Sequence, residues 1–255
     1  MVTLWMEINK MANKNYKEVE YLIGKLEEIH YDENRFRVMI EKEKYIFGVV
    51  SAENGPSSIS KIIQYSAIYE TICDLDYKIK LSFKKAIEYA YSTKVQEQFS
   101  LLKNSSVEEI YSYYYIENAL FRASSLWDML AQLYRLYYQI DVEPYDVKYK
   151  QIFDPKSRYS KKFKEKATLI SNYINQKDDT AVDGEWKGNH KFVNKCRNKM
   201  THRNSPNITV LSDFDVNFKQ HPTYLLKRII EDYNVVSKFI SDILNDIEKD
   251  IKNNL

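Results

Sequence analysis

PTYLLKRIIEDYNVVSKFISDILNDI, residues 222–247, sets Leu225, Leu226, Ile229, Ile230, Tyr233, Val236, Phe239, Ile240, Ile243, Leu244 and Ile247 three and four apart without a gap. That spacing returns to one side of an α-helix, so the stretch predicts a single long amphipathic helix opened by Pro222. A second stripe of the same kind runs through Ile116, Ala119, Leu120, Ala123, Leu126, Trp127, Leu130, Leu133, Tyr134 and Tyr137. Ser105 or Ser106 is placed to cap that helix, with Glu108 and Glu109 in its first turn, where negative charge is favoured.

Working outward, Ile62, Ile63, Ala67, Ile68, Ile72, Leu75 and Ile79 predict one long helix or two with a kink between residues 58 and 92. Shorter helices are expected at 15–30, at 160–175 and from about Glu185 to His202 or Arg203. In the last of these Trp186, Phe192, Val193, Cys196 and Met200 are the apolar positions, and Asn204-Ser205-Pro206 is the stop. Asp178 to Asp183 reads as a polar loop. Phe36, Val38 and Ile40 alternate as a strand does, which leaves room for a small hairpin around Glu41 to Lys44. Asn54-Gly55-Pro56 breaks the pattern and divides an N-terminal appendage of unassigned role, residues 1–56, from a main body, residues 57–255. The fold class is therefore all-α: a multi-helix bundle, with a short N-terminal β-hairpin left open.

Composition narrows the class. The 255 residues include only five Gly and five Pro, few enough to favour long helices over a turn-rich sheet protein. The 22 Tyr fit helix packing with rings buried and hydroxyls wet, or stacking platforms for bases; their positions on the helical stripes favour packing. Two cysteines, Cys73 and Cys196, make no disulfide framework, so a reducing, cytoplasmic setting is expected. Residues 1–13 mix apolar and charged groups, so no secretory leader is expected, and no apolar stretch is long enough to cross a bilayer, so no membrane partner is expected.

The net charge of +2 asks for no polyanionic partner, but its distribution is uneven. Lys156, Arg158, Lys161, Lys162, Lys164 and Lys166 stand against one Glu165; Lys187, Lys191, Lys195, Arg197, Lys199 and Arg203 run without an acid. The two segments read as one phosphate-binding face or as two solvated helix faces. Within the second lies Arg197-Asn198-Lys199-Met200-Thr201-His202. A guanidinium binds phosphate through paired hydrogen bonds, and an imidazole moves protons at neutral pH. Asn198 and His202 are four apart and share a helix face; Arg197 is roughly 140° around from His202, within reach for long side chains. Cleavage of RNA by its own 2′-hydroxyl needs a base, an acid and a cation for the phosphorane charge, and no metal. A two-fold dimer would supply two histidines for the first two tasks.

These residues resemble the R-x4-6-H signature of the HEPN superfamily, in which a polar residue commonly follows the Arg, as Asn198 does here. The resemblance rests on six residues near the end of the penultimate long helix, and residues 1–56 find no counterpart in it. It implies a helical bundle, usually a homodimer with the signature at its interface, and in many members a metal-independent endoribonuclease acting as a toxin or antiviral effector. Other members are inactive binding modules. Carried onto this chain, it implies His202 for proton transfer, Arg197 for phosphate charge and Asn198 for orientation, with RNA as partner and an antitoxin or regulatory protein as a further one.

Acidic support from an earlier helix is expected from Glu117 or Asp128, eleven apart and roughly 20° from alignment, against the alternative that each is surface or capping charge. Lys191, Lys195, Lys199 and Arg203 are the expected RNA-binding cations. No metal site is expected, because His190, Cys196 and His202 step six apart and point in different directions. No glycine-rich phosphate loop is present, so no nucleotide cofactor is expected. His30 and His221 read as surface or capping groups, Cys73 as a core residue, and Cys196 as packing or as a thiolate favoured by its cationic neighbour. The competing reading is a non-catalytic helical module that binds nucleic acid or a partner protein, in which Arg197 and His202 make an interfacial hydrogen-bond network and the Tyr-rich helix from Val107 supplies dimer contacts.

Overall fold

The computed structural model describes residues 15–32, 34–36, 38–40, 43–45, 58–180, 186–202, 205–211 and 216–254. The fold is all-α in class. Its helices are α1 (Tyr16–Glu27), α2 (Ser58–Ala90), α3 (Thr93–Gln98), α4 (Val107–Tyr137), α5 (Tyr149–Ile152), α6 (Lys164–Asn175), α7 (Asn189–His202) and α8 (Pro222–Asn254). Antiparallel pairs join β1 (Val38–Ile40) to β2 (Glu43–Tyr45), β3 (Asp179–Thr180) to β4 (Trp186–Lys187), and β5 (Val210–Leu211) to β6 (Val216–Asn217). The first pair is the hairpin left open by the sequence, with Val38 opposite Tyr45. The other two pairs are two residues long, too short for an alternating pattern to announce them. Most of the appendage, including residues 1–14 and the breaker at 54–56, lies outside the described residues.

The chain forms two compact units. One takes residues up to Glu28, Lys78–Ser124 and Asn172–Val235; the other takes Ile29–Tyr77, Ser125–Ser171 and Val236–Leu255. α2, α4, α6 and α8 each contribute one stretch to each unit.

The stripe that defines α8 is buried along its length apart from Phe239, which is half-buried. Pro222 stands at the first helical position, where no backbone hydrogen bond is lost. His221 caps the helix: its Nδ1 accepts the Thr223 backbone N–H at 3.3 Å and lies 2.8 Å from the Thr223 hydroxyl. Burial lowers the pKa of His221, outweighing the opposite pull of Glu109 and Glu18. Below the usual imidazole value of about 6.5 the unfolded chain then binds more protons than the folded one, so stability falls as pH drops through that range. His221→Asn keeps a capping acceptor and removes the titration. It is expected to flatten the decline in melting temperature between about pH 7 and pH 5; an unchanged slope would assign that decline to other groups.

In the first unit, α1 is tied to α8 by Asn234, whose amide donates to the Lys25 carbonyl and to the Glu28 carboxylate, both at 3.0 Å. α4 opens as expected: the Ser106 hydroxyl accepts the Glu109 N–H at 3.2 Å. Glu109 does more than face the helix dipole. Its carboxylate accepts Ser105 Oγ at 2.6 Å and forms a buried ion pair with Lys219 at 2.7 Å. In the second unit, Trp127 is buried between Tyr149 and Phe239, with ring centroids 5.9 and 6.3 Å away. Tyr134 packs on Phe153 and Phe163, which places these tyrosine rings in the packing role.

The helix carrying Arg197 starts later than its apolar spacing suggests. Trp186 and Lys187 pair with Thr180 and Asp179 as a strand, and α7 begins at Asn189. The stretch read as a loop from Asp178 supplies the other strand. Gly188 makes the switch at φ +70°, where a Cβ would overlap the Lys177 carbonyl. Residues 58–90 form one helix, settling the choice between one and two.

Candidate functional site: the basic helix and its anchors

α7 has a core side and a solvent side. Asn189, His190, Phe192, Val193 and Cys196 are buried; Lys191, Lys195, Asn198 and Thr201 are exposed; Asn194, Arg197, Lys199 and Met200 are intermediate. Lys191, Lys195 and Asn198 recur at four and three residues, which places them on one outward stripe. His202 is the last helical residue, one turn beyond Asn198; its side chain and all of Arg203 lie outside what the structure describes. Arg197 flanks the stripe, and among the described residues no carboxylate is paired with it, nor with Lys191 or Lys195. A cation in that setting is available to a ligand anion.

The start of the helix is anchored through α8. Arg228 is fully buried. Its Nε donates to Asn189 Oδ1, one terminal nitrogen to Asp178 at 2.8 Å and to the Lys187 carbonyl at 3.1 Å, and the other to the Tyr224 hydroxyl at 3.2 Å. Its guanidinium lies 4.3 Å from the centre of the Phe192 ring and 5.4 Å from that of Trp186. One turn on, Asp232 meets His190 Nδ1 at 3.2 Å and accepts the Tyr173 hydroxyl at 3.1 Å. Asn194 Nδ2 donates to the His190 carbonyl at 3.1 Å, which fixes the amide's orientation, and it sits 2.6 Å from His190 Nε2. The Asp232 carboxylate at Nδ1 and the Asn194 amide at Nε2 thus engage both ring nitrogens. Burial and the neighbouring Asp232 carboxylate push the Tyr173 phenol far above its ordinary pKa, so it remains a donor.

His190 thus has a carboxylate partner but is 2% exposed, with both nitrogens engaged inside the protein. It fixes the helix and does not reach solvent. Spacing on its own gave His190 no role. The signal was in α8: Arg228 and Asp232 fall on the same stripe as Leu225, Ile229 and Val236, where a charged side chain must be buried with partners.

The other end of α7 is held from three sides. Lys199 Nζ donates to Asn217 Oδ1 at 3.0 Å, and Asn217 Nδ2 donates to the carbonyls of Ser205 at 2.9 Å and Ile208 at 2.6 Å. The Gln220 N–H reaches the Pro206 carbonyl at 2.9 Å. Asn207 Nδ2 donates to Glu117. Burial raises the Glu117 pKa, partly offset by hydrogen bonds from Asn207 and Ser205. Glu117 therefore meets the turn that follows the helix, through Asn207 and Ser205, rather than Arg197 itself. Asp128 belongs to the other unit. Lys199 is engaged with Asn217, whereas Lys191 and Lys195 project to solvent.

Cys196 is 3% exposed, and burial pushes its thiol up to about 12, overriding Lys199, Arg228 and Lys195. The cationic neighbourhood does not make it a thiolate. At about pH 8 Cys196 is expected to resist iodoacetamide in the folded chain and to react once urea unfolds it, read by peptide mass mapping; native-state alkylation at the unfolded rate would contradict the burial argument. Among the described residues no group of three or more His, Cys, Asp or Glu is arranged to hold a metal ion, and no helix is long and apolar enough to cross a membrane. No protein-family model, no curated protein and no solved structure matches the chain.

Proposed function

We propose that the chain is a metal-independent endoribonuclease of HEPN type, working as a homodimer in a toxin or defence role. The observation that carries this reading is the outward side of α7. A half-exposed Arg197 without a carboxylate partner among the described residues stands beside exposed Lys191, Lys195 and Asn198, one turn before His202. Both ends of the helix are pinned, so these groups are presented on a rigid element, as a catalytic constellation requires.

The chemistry needs only groups of these kinds. A base takes the proton from a ribose 2′-hydroxyl, whose oxygen attacks the adjacent phosphorus. The Arg197 guanidinium neutralises charge on the phosphorane, and an acid returns a proton to the departing 5′-oxygen. His202 takes one proton-transfer role, and His202 of a second copy, brought by a two-fold axis, takes the other. Asn198 orients His202 or the substrate, and Lys191 and Lys195 hold flanking phosphates. The products are a 2′,3′-cyclic phosphate and a 5′-hydroxyl. The test is incubation of a mixed RNA pool with the purified chain in excess EDTA, with end-group analysis of the fragments. Cyclic phosphate ends are expected. Intact RNA, or fragments with a 5′-phosphate, would reject the mechanism.

A further inference from the structure

The second unit carries a cationic row of its own. Residues Arg158–Phe163 form a 3₁₀ helix that runs directly into α6 at Lys164. Such a helix has about three residues per turn and a rise of about 2 Å per residue, so side chains three apart eclipse at a repeat of about 6 Å. Its three edges differ sharply. Ser160 and Phe163 form the buried edge, at 0% and 5% exposure. Tyr159 and Lys162 form the second, with Lys162 Nζ donating to the Tyr138 carbonyl at 2.8 Å. Arg158 and Lys161, extended by Lys164 at the junction, form the third, and all three are exposed.

The row is firmly mounted. The Ser157 hydroxyl caps the turn by accepting the Tyr159 N–H at 3.2 Å. Ser160 Oγ bonds back to the carbonyls of Asp154 at 2.7 Å and Ser157 at 3.1 Å. Phe163 is clamped by Tyr138 and Tyr134, with ring centroids 4.5 and 4.9 Å away. Lys166, one turn further along, is neutralised by Asp246, whereas no carboxylate is paired with Lys161 or Lys164 among the described residues. Asp141 lies within electrostatic reach of Arg158, whose guanidinium also rests 5.1 Å from the centre of the Tyr159 ring.

We propose that Arg158, Lys161 and Lys164 form a binding ridge for the phosphate backbone of single-stranded RNA, with Tyr159 beside it as a stacking surface. Exposed cations at this repeat match a one-dimensional string of phosphates, and the half-exposed Tyr159 ring, paired with the Arg158 guanidinium on its face and at its hydroxyl, forms with it a cation–aromatic platform at one end on which a base can stack. The backbone that carries the row is already held in place, so binding has only side chains to order. The choice of RNA rests on the ribonuclease reading; the recognition of a polyanionic strand does not.

The experiment measures fluorescence anisotropy of a labelled 2′-O-methyl RNA of about twenty nucleotides, long enough for one such site and unable to undergo 2′-hydroxyl attack. Salt is titrated against the full wild-type chain, the triple variant Arg158→Gln/Lys161→Gln/Lys164→Gln, and Lys191→Gln/Lys195→Gln. Circular dichroism confirms folding of each. Each lost phosphate contact lowers the slope of log affinity against log salt by about 0.7 for a single strand, so the triple variant is expected to lose about 2 units of slope and at least tenfold in affinity at low salt. A triple variant that matches wild type in both affinity and slope overturns the proposal. So does wild type that binds no RNA, or a triple variant that loses only binding to phosphatidylserine vesicles. Because this probe cannot be cleaved, a chain without ribonuclease activity still reveals whether the ridge binds, and an active chain with an idle ridge is recognised as such.

Discussion

His202→Ala is expected to abolish RNA cleavage in EDTA while leaving the fold intact. Proton transfer by a positioned imidazole contributes about 10²- to 10⁴-fold to a rate, and in a two-fold site the substitution removes the acid and the base together. His202 ends its helix, so alanine disturbs no intrahelical turn beyond it. The anchors that seat α7 (Arg228, His190 and Asn217) are elsewhere in the first unit. Arg197→Ala is expected to follow with a loss of about 10²- to 10³-fold, and Arg197→Lys to recover only part of it, since an ammonium keeps the charge and not the fork. Melting temperature and oligomeric state measured alongside separate lost chemistry from lost structure. A folded His202→Ala chain that cleaves at the wild-type rate would remove His202 from the mechanism and, with it, the main reason to read this chain as a ribonuclease.

The second large effect is on stability. Arg228→Ala is expected to lower the unfolding free energy by about 2–4 kcal/mol, from buried acceptors left without donors and the lost packing of a large buried side chain. The loss is concentrated at three places. Asn189 Oδ1 and the Lys187 carbonyl lose their donors, and the Phe192 and Trp186 rings lose the plane packed over them. The Asp178 contribution is smaller, because that side chain is 35% exposed and water can replace its partner. Arg228→Lys is expected to restore little, as one ammonium cannot serve Asn189, Asp178 and Tyr224 in fixed directions. Urea denaturation gives the number; a loss under about 1 kcal/mol would mean that the network stabilises no more than it costs in desolvation. Because Asn189 and Phe192 belong to α7, the same variant is expected to lose cleavage.

The long helices were legible because each is set by local periodicity. The α8 stripe and the Ser106 cap lie where spacing and capping chemistry put them. The start of α7 was not legible, because Trp186 stands at a helical interval from Val193 while the backbone is set by Gly188 and a strand partner at Thr180. The burial of Lys219 was not legible either: nothing near it in sequence demands it, and its carboxylate partner, Glu109, lies 110 residues away. Within the site, the sequence offered the exposed cations of α7 as a group but could not say that Lys199 would turn to Asn217, or that Glu117 would meet the turn after the helix. Those pairings depend on how the β5–β6 segment and α4 meet, which no local pattern encodes.

The interleaving of the two units has a consequence for synthesis. The first unit needs residues before Glu28 and residues as late as Val235, so its opening helix emerges from the ribosome roughly two hundred residues ahead of the α8 segment it binds. At ordinary translation speeds that is a delay of about 10–40 s. Arg228 and Asp232, which seat α7, are also translated after it. The nascent chain therefore displays its basic helix before it can hold that helix in place. A cut or stop before Arg228 leaves the start of α7 without the side chain that seats it.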